Sequence, residues 1–389
     1  MSEEKMKGSL YIHVPFCLRK CAYCDFYSLP DQLSLKEAYV KTVCEELTLQ
    51  AASFDVTEVH SIYFGGGTPT LLTGHEVKEI LRTAFTAYHI CPDAEITMEG
   101  NPGTLTEANL TGYLEAGVNR LSLGVQSFDP GELSMLGRIH TPEEAEHAVR
   151  LARKAGFRNI NLDLMYGLPG QRADGFERTL RRAISLYPEH LSCYSLIVEP
   201  GTPLALRIEQ NQVPPLPGEE TILEMEETMK TLLREQGFHR YEVSNYAREG
   251  FESRHNLTYW ECEPYLGIGP AAHSCIGSKR FYCPDDLKKW LLGPSTERYL
   301  EEGDNQESDR RFERVMMGFR MTRGVDLARF WEDFGARPER FWPKTLSEMK
   351  KMNMVREQDG RLALTETGMD VMNYWLVKMM EEEESTKEY

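Results

Sequence analysis

The chain has no apolar run approaching the roughly 20 residues that a membrane-spanning helix requires. Its opening, Met1 to Lys7, is polar and lacks the apolar stretch of a secretory signal. Basic residues are in the minority: 44 Lys and Arg stand against 61 Asp and Glu, a formal net charge of −17. That balance argues against a broad electrostatic surface for nucleic acid, while leaving room for a local basic pocket. A disulfide framework is missing too. Nine cysteines is an odd number, and six of them, Cys44, Cys91, Cys193, Cys262, Cys275 and Cys283, are scattered. Free thiols in that pattern fit a reducing, cytoplasmic setting. There is no internal repeat beyond a strand–helix rhythm, and no low-complexity segment. What remains is the composition of an ordinary globular protein, 41% apolar and 27% charged, with 389 residues to build a large core domain and a smaller one.

The densest chemistry lies near the start. Cys17, Cys21 and Cys24 form a C-x3-C-x2-C motif directly after the strand-like run Ser9–Phe16. Three thiolates this close suit one soft metal centre better than disulfides. A structural zinc site would want a fourth ligand at matching spacing, and no second C-x2-C follows. Three cysteines with an open fourth position suit an iron–sulfur cluster with one uncapped iron.

Six strand–helix units succeed one another along residues 1–237. Strands are expected at 9–16, 60–64, 95–99, 120–126, 159–165 and 191–197. Helices are expected at 35–47, 74–90, 106–116, 142–155, 173–187 and 218–236, the fourth of them stopping at Gly156. Alternating strands and helices imply a parallel sheet, and right-handed crossovers curl it. Six units are fewer than the eight of a closed barrel, so the expected fold is α/β, a partial (β/α)6 TIM-like barrel. An open doubly wound sheet is the structural alternative. Residues 238–308 read as a loop-rich connecting segment, ending in a polar linker at 301–308. Residues 309–380 read as a helical, winged-helix-like domain with a hairpin about Asp359-Gly360, and 381–389 as an acidic tail. A winged helix invites a nucleic-acid reading, but the acidic charge favours a packing or partner role.

Ligands of such sheets bind at the C-terminal ends of the strands. There the sequence places Gly65-Gly66-Gly67-Thr68-Pro69, Glu99, Gln126 and Asp163, with Arg138 shortly after Gln126. Glycines after a strand permit close backbone approach to a ligand, and a plain tight turn is the competing reading. Carboxylates there can accept from an ammonium or hydroxyls, and an Arg can pair with a carboxylate. Each taken singly is more often a cap or a surface charge. Arg120 and Arg158 rival Arg138. A second cluster, His255-Asn256-Leu257-Thr258-Tyr259-Trp260, offers an iron ligand and flat aromatic surfaces. The plainer reading is an aromatic loop closing the barrel mouth, with His255 hydrogen-bonded inside it. A third, Gly267 to Ser274, has small residues that admit a planar ligand, and His273 within it is equally an ordinary core histidine.

Taken in order, Tyr11–Cys17 with Cys21 and Cys24, the Gly65–Pro69 loop, Gly124–Ser127, Asp163 with Tyr166–Pro169, and His255–Trp260 resemble the oxygen-independent coproporphyrinogen III oxidase-like radical SAM proteins. The resemblance covers nearly the whole chain, including the family's small C-terminal domain. It implies a 4Fe-4S cluster on Cys17, Cys21 and Cys24, with S-adenosylmethionine (SAM) on the fourth iron. It implies SAM contacts from Tyr11, Tyr23, Gly66, Gly67, Thr68, Glu99, Gln126, Arg138 and Asp163, and less securely from Ile197 and Ala272–His273. The oxidases of this family carry a fourth cysteine two residues after the third. Here that place is Phe26, and Cys17 follows only 16 residues where the oxidases have a long N-terminal extension. The His-Asn-x-x-Tyr-Trp motif belongs to the haem-chaperone branch. The resemblance therefore implies a protein that binds haem, with His255 as candidate ligand, and passes it to acceptors such as respiratory enzymes. It implies an electron donor such as flavodoxin or ferredoxin, no nucleic-acid partner, no membrane span, and scope for peripheral membrane association. The alternative is the oxidase itself, converting propionates to vinyls. A radical SAM methylthiotransferase acting on tRNA is disfavoured, because neither a second cysteine triad nor a basic RNA-binding domain is found.

Overall fold

A computed structural model describes residues 7–52, 58–293, 300–304 and 306–387. The polar opening up to Met6 lies outside them. The six expected strands form as β1 (Lys7–Val14), β2 (Glu58–Gly66), β3 (Ile90–Gly100), β4 (Arg120–Gln126), β5 (Ile160–Tyr166) and β6 (His190–Ser195), all parallel and adjacent in chain order. Between them run α1 (Lys36–Gln50), α2 (Gly74–Ala87), α3 (Glu107–Ala116), α4 (Pro142–Ala155) and α5 (Ala173–Ile184), followed by α6 (Glu219–Glu235). The helices start where the sequence supplies caps. Thr73 with Glu76, and Thr141 with Glu144, form reciprocal capping boxes that satisfy otherwise orphaned amides. Gly156 ends α4 in the left-handed region, at φ 118°.

The strands alternate, apart from register shifts at Gly8/Ser9, Val59/Ser61 and Gly124/Gln126. Leu10, Ile12, Val14, Ile62, Phe64, Met98, Leu121, Leu123, Leu162 and Leu164 are fully buried in the main apolar core, where the helices pack. Their neighbours point the other way, into a polar and aromatic interior arranged in rows. Ser9, Ser61 and Glu95 are in register; above them come Tyr11, Tyr63, Thr97 and Arg120. The next row runs His13 and Gly65, with Glu99 beside Ser122. An α/β sheet covered by helices on both faces would be apolar on both. A polar inner face marks a curled sheet with a site inside.

The sheet does not close. It has twelve strands, and the stretch expected to be loop-rich supplies half of them. β7 (His239–Arg240) and β8 (Asn245–Ala247) pair antiparallel beyond β6. β9 (Tyr265–Ile268) joins the other edge parallel to β1, a seventh parallel strand. β10 (His273–Ile276), β11 (Lys279–Tyr282) and β12 (Leu300–Asp304) continue from it antiparallel. The expected linker 301–308 is thus part of an edge strand and the start of a helix, with Asn305 outside the described residues. The segment His255–Trp260 is helical as well, in α7 (Arg254–Trp260), capped by Ser253.

The C-terminal module follows the winged-helix order: α8 (Glu307–Gly318), β13 (Val325–Asp326), α9 (Leu327–Phe334), α10 (Pro343–Lys351), β14 (Val355–Gln358) and β15 (Arg361–Leu364). Asp359 and Gly360 both have positive φ, 50° and 73°, as a two-residue hairpin turn requires. A separate apolar core around Phe319, Phe330, Trp342 and Trp375 holds it together. The acidic stretch from Glu381 continues α11 (Met372–Lys387). An ion pair from Lys230 on α6 to Asp370, at 2.8 Å, and a bridge between Glu242 and Met321 tie the module to the barrel.

Candidate functional site

The C-terminal ends of β1–β6 surround a cavity of about 380 Å³. Cys17, Cys21 and Cys24 line it together with Tyr23, Gly66, Gly67, Thr68, Glu99, Gln126, Arg138 and Asp163, so eleven of the thirteen expected site residues converge. Among the described residues no trio of His, Cys, Asp or Glu closes on a single metal ion. The three thiols are instead distributed along one loop at the cavity wall. Thiolates without a fourth protein ligand, beside an open polar cavity, fit a cluster whose remaining iron faces a small ligand.

The loop is held from several sides. Thr68 Oγ1 lies 3.5 Å from Cys17 Sγ. Arg138 donates from Nη1 to Cys21 Sγ at 3.4 Å and from Nη2 to the Gly124 carbonyl. Its Nε is buried and meets no protein acceptor. Arg120 does not compete: it is 2% exposed, lies one row deeper and is paired with Glu95 at 4.0 Å. Arg158 is exposed. The Ala22 amide and carbonyl bond to Leu136 and Leu204, pinning the cysteine loop to the elements after β4 and β6.

Two buried carboxyls occupy the floor. Burial moves Glu99 up to about 7, the nearby Asp163 adds to the rise, and the hydrogen bond from Tyr63, at 2.7 Å, opposes it. Burial also raises Asp163, against hydrogen bonds from Asn161 at 2.7 Å and Ser122. Two desolvated carboxyls beside one guanidinium suit a ligand that carries both an ammonium and a carboxylate. The glycine loop serves the frame as much as the ligand. At Gly66, with φ 105°, a Cβ would sit 2.5 Å from the His13 ring. At Gly67 it would meet the Phe16 carbonyl at 2.6 Å.

Two expected residues lie elsewhere. Tyr11 sits in the middle interior row, donates to His13 Nδ1 at 3.1 Å, and lines a different cavity. His255 lines neither cavity. It is 1% exposed, with Nδ1 hydrogen-bonded to Ser61 Oγ at 2.9 Å and Nε2 to Tyr259 OH at 2.8 Å, and its ring stacks on Tyr63 at 4.8 Å. Burial holds its pKa down to about 3, so the ring stays neutral. Both ring nitrogens are occupied in this packing. Ile197 is 71% exposed, and Ala272 is fully buried.

The other cavity, about 720 Å³, opens beside the first. Its walls include Tyr27, Tyr259, Tyr265, Tyr282 and the exposed His273. Phe26, 69% exposed, borders both cavities. Sequence reasoning missed Tyr63, Ser122 and Tyr194 at the first site. All three share the inward parity of Gly65, Gly124 and Ser192 on their strands, a signal that period-2 counting could have used.

The radical SAM superfamily model matches residues 11–183, and the HemN C-terminal domain model matches residues 306–371. The heme chaperone HemW of Bacillus subtilis (strain 168) is 35% identical over 363 residues, which cover 92% of this chain and 96% of that protein. The heme chaperone HemW of Escherichia coli (strain K12) is 40% identical over 83% of this chain and 85% of its own length. In three dimensions the chain is similar to the coproporphyrinogen III oxidase HemN from Escherichia coli, a radical SAM enzyme, with a TM-score of 0.81. That match covers 96% of this chain and 90% of the other at 21% identity, which speaks to fold alone. A curled parallel sheet with three cysteines at its mouth, extended at both edges and followed by a winged module, therefore belongs to the radical SAM superfamily and, within it, to the HemW family.

Proposed function

We propose that this protein binds haem and delivers it to acceptor proteins such as respiratory enzymes, alongside a 4Fe-4S cluster and SAM. The observation that carries this reading is the 31–40% identity to proteins named heme chaperone HemW, over most of the chain. Cys17, Cys21 and Cys24 would hold the cluster, and Tyr23, Gly66, Gly67, Thr68, Glu99, Gln126, Arg138 and Asp163 would hold SAM. When bound, the pair supplies one-electron reductive cleavage of the sulfonium. The chain's own part is to hold and to shield. Arg138 keeps a positive charge against the Cys21 sulfur, and the Asn161 and Ser122 donors fix the Asp163 carboxyl. An electron donor such as flavodoxin or ferredoxin, a cytoplasmic location and peripheral contact with a membrane belong to the same reading.

The oxidase alternative rests on likeness of fold. It is disfavoured by Phe26, an exposed phenyl where the oxidases have a thiol. The test is anaerobic: reconstituted protein is titrated with haemin, then incubated with reductant, SAM and coproporphyrinogen III. Saturable haem binding, passage of haem to an apo-acceptor and no vinyl product are expected. Sustained conversion to protoporphyrinogen IX would overturn the reading.

A further inference from the structure

The haem-carrying reading needs an iron ligand, and three histidines lie at or beneath the second cavity. His255 is sealed, with both nitrogens bonded inside the barrel. His13 is 4% exposed; its Nε2 donates to the Tyr27 carbonyl at 2.8 Å and its Nδ1 accepts from Tyr11. Freeing either ring would strand buried partners, each at a cost of about 1–3 kcal/mol. His273 differs in its exposure. It opens β10, is exposed, and borders the cavity directly.

The chain around His273 is built to bring it there. At Gly269, with φ 104°, a Cβ would come within 2.7 Å of the His13 carbonyl, so the strand end runs hard against β1. At Gly267 it would come within 2.3 Å of the His273 carbonyl, so β9 and β10 meet without intervening side chains. Tyr282, opposite His273 in register, stacks on its ring at 5.1 Å and 16° and fixes the plane of the imidazole. Tyr27, Tyr259, Tyr265 and Phe26 complete a wall of aromatic faces around a volume in the usual range for a cofactor-sized ligand. Asp25 and Asp285, both exposed, line the cavity and disfavour a propionate beside them.

We propose that His273, at the head of β10 in the aromatic cavity, is the axial ligand of haem iron, and that His255 is not a ligand. This rests on the haem-carrying reading and names the donor within it. An imidazole on a cavity wall can reach an iron without unpacking the barrel, whereas His255 would have to leave Ser61, Tyr259 and the Tyr63 stack.

The test uses the full-length, cluster-reconstituted protein under anaerobic conditions. Haemin is titrated into wild type, His273→Ala, His255→Gln and Cys283→Ser, with Soret absorption and ferric EPR as readouts. Thermal melting and cluster absorbance verify folding. His273→Ala should lose the imidazole signature and bind haemin at least about tenfold more weakly, with added imidazole restoring the wild-type spectrum. His255→Gln should keep that signature, and if it fails to fold, the His273→Ala result with imidazole rescue decides alone. An unchanged spectrum and affinity in His273→Ala overturns the assignment, as does loss of the signature in folded His255→Gln or Cys283→Ser. Wild type that takes up no haemin overturns the haem-carrying reading and the ligand with it. Wild type that binds normally alongside an unaffected His273→Ala overturns the ligand alone.

Discussion

Single residues at the site carry a pH signature. Glu99 titrates near 4.5 in the unfolded chain and at about 7 in the fold, chiefly because it is buried. Between those values the folded state holds a proton that the unfolded state has released, so stability falls as pH rises, fully so above about 7. Glu99→Gln removes the effect while keeping an acceptor for Tyr63. The SAM-free variant should gain on wild type between pH 5 and pH 8, by no more than roughly 3 kcal/mol. Chemical denaturation across that range measures it, and a constant gap would refute the burial argument. Bound SAM should reverse the trend, since an ammonium favours the ionised carboxyl. At this scale the sequence was informative: the cysteine spacing, the glycine loop and the polar residues at and after the strand ends picked out ten residues that share one cavity, and the family resemblance added Tyr23. The sequence could not rank Arg138 above Arg120, because Arg138 lies in a loop beyond β4 where no strand period applies, and only the stacking of rows shows that Arg120 lies one layer too deep. Nor could it show that Tyr11 belongs to the neighbouring cavity, since that depends on which side of the Tyr11–Tyr63 stack each ring faces.

Among the elements, α7 bears the least resemblance to its expected form. Its seven residues are too few to display a helical period, and its cap and buried partners decide its conformation. Ser9, Ser61, Thr258 and His255 form one hydrogen-bonded set that seats the helix on β1 and β2. Ser61→Ala should leave His255 Nδ1 and the Ser9 hydroxyl short of a partner, lowering stability by about 1–3 kcal/mol. The expected result is an earlier denaturation midpoint with the cluster spectrum intact, and an unmoved midpoint would mean that water replaces the lost hydroxyl. The strands of residues 239–304 were illegible for a related reason. They are two to five residues long and pair with edges already made, so pairing rather than pattern defines them. The longer barrel strands and their helices, in contrast, declared themselves through alternation and caps.

Across the whole molecule, buried neutral histidines set the response to acid. Burial lowers His255 to about 3 and His140 to about 4, and also lowers His13 and His190. Unfolding lets each take up a proton once pH drops below about 6.5, so stability is lost progressively as pH falls from there toward about 4. Glu99 acts in the opposite sense over part of that window, and Asp163, Glu132 and Glu242, also raised by burial, act with it; the four histidines are expected to outweigh them. The cluster-loaded protein should therefore denature at lower urea concentration at pH 5 than at pH 7, with net proton uptake on unfolding. A midpoint that holds or rises toward pH 5 would contradict this. The same four rings span the barrel from β1 to β6, so acid loosens the frame and the site together.

Phe26 stands at the boundary of the two cavities with most of its surface open. A side chain shared in this way makes the two ligands thermodynamic neighbours. If filling one cavity biases the position of that ring, the bias is reciprocal: whatever factor SAM applies to the affinity for a ligand next door, that ligand must apply equally to SAM. At Phe26 the two chambers share one wall, so any coupling between their occupancies would run through that ring.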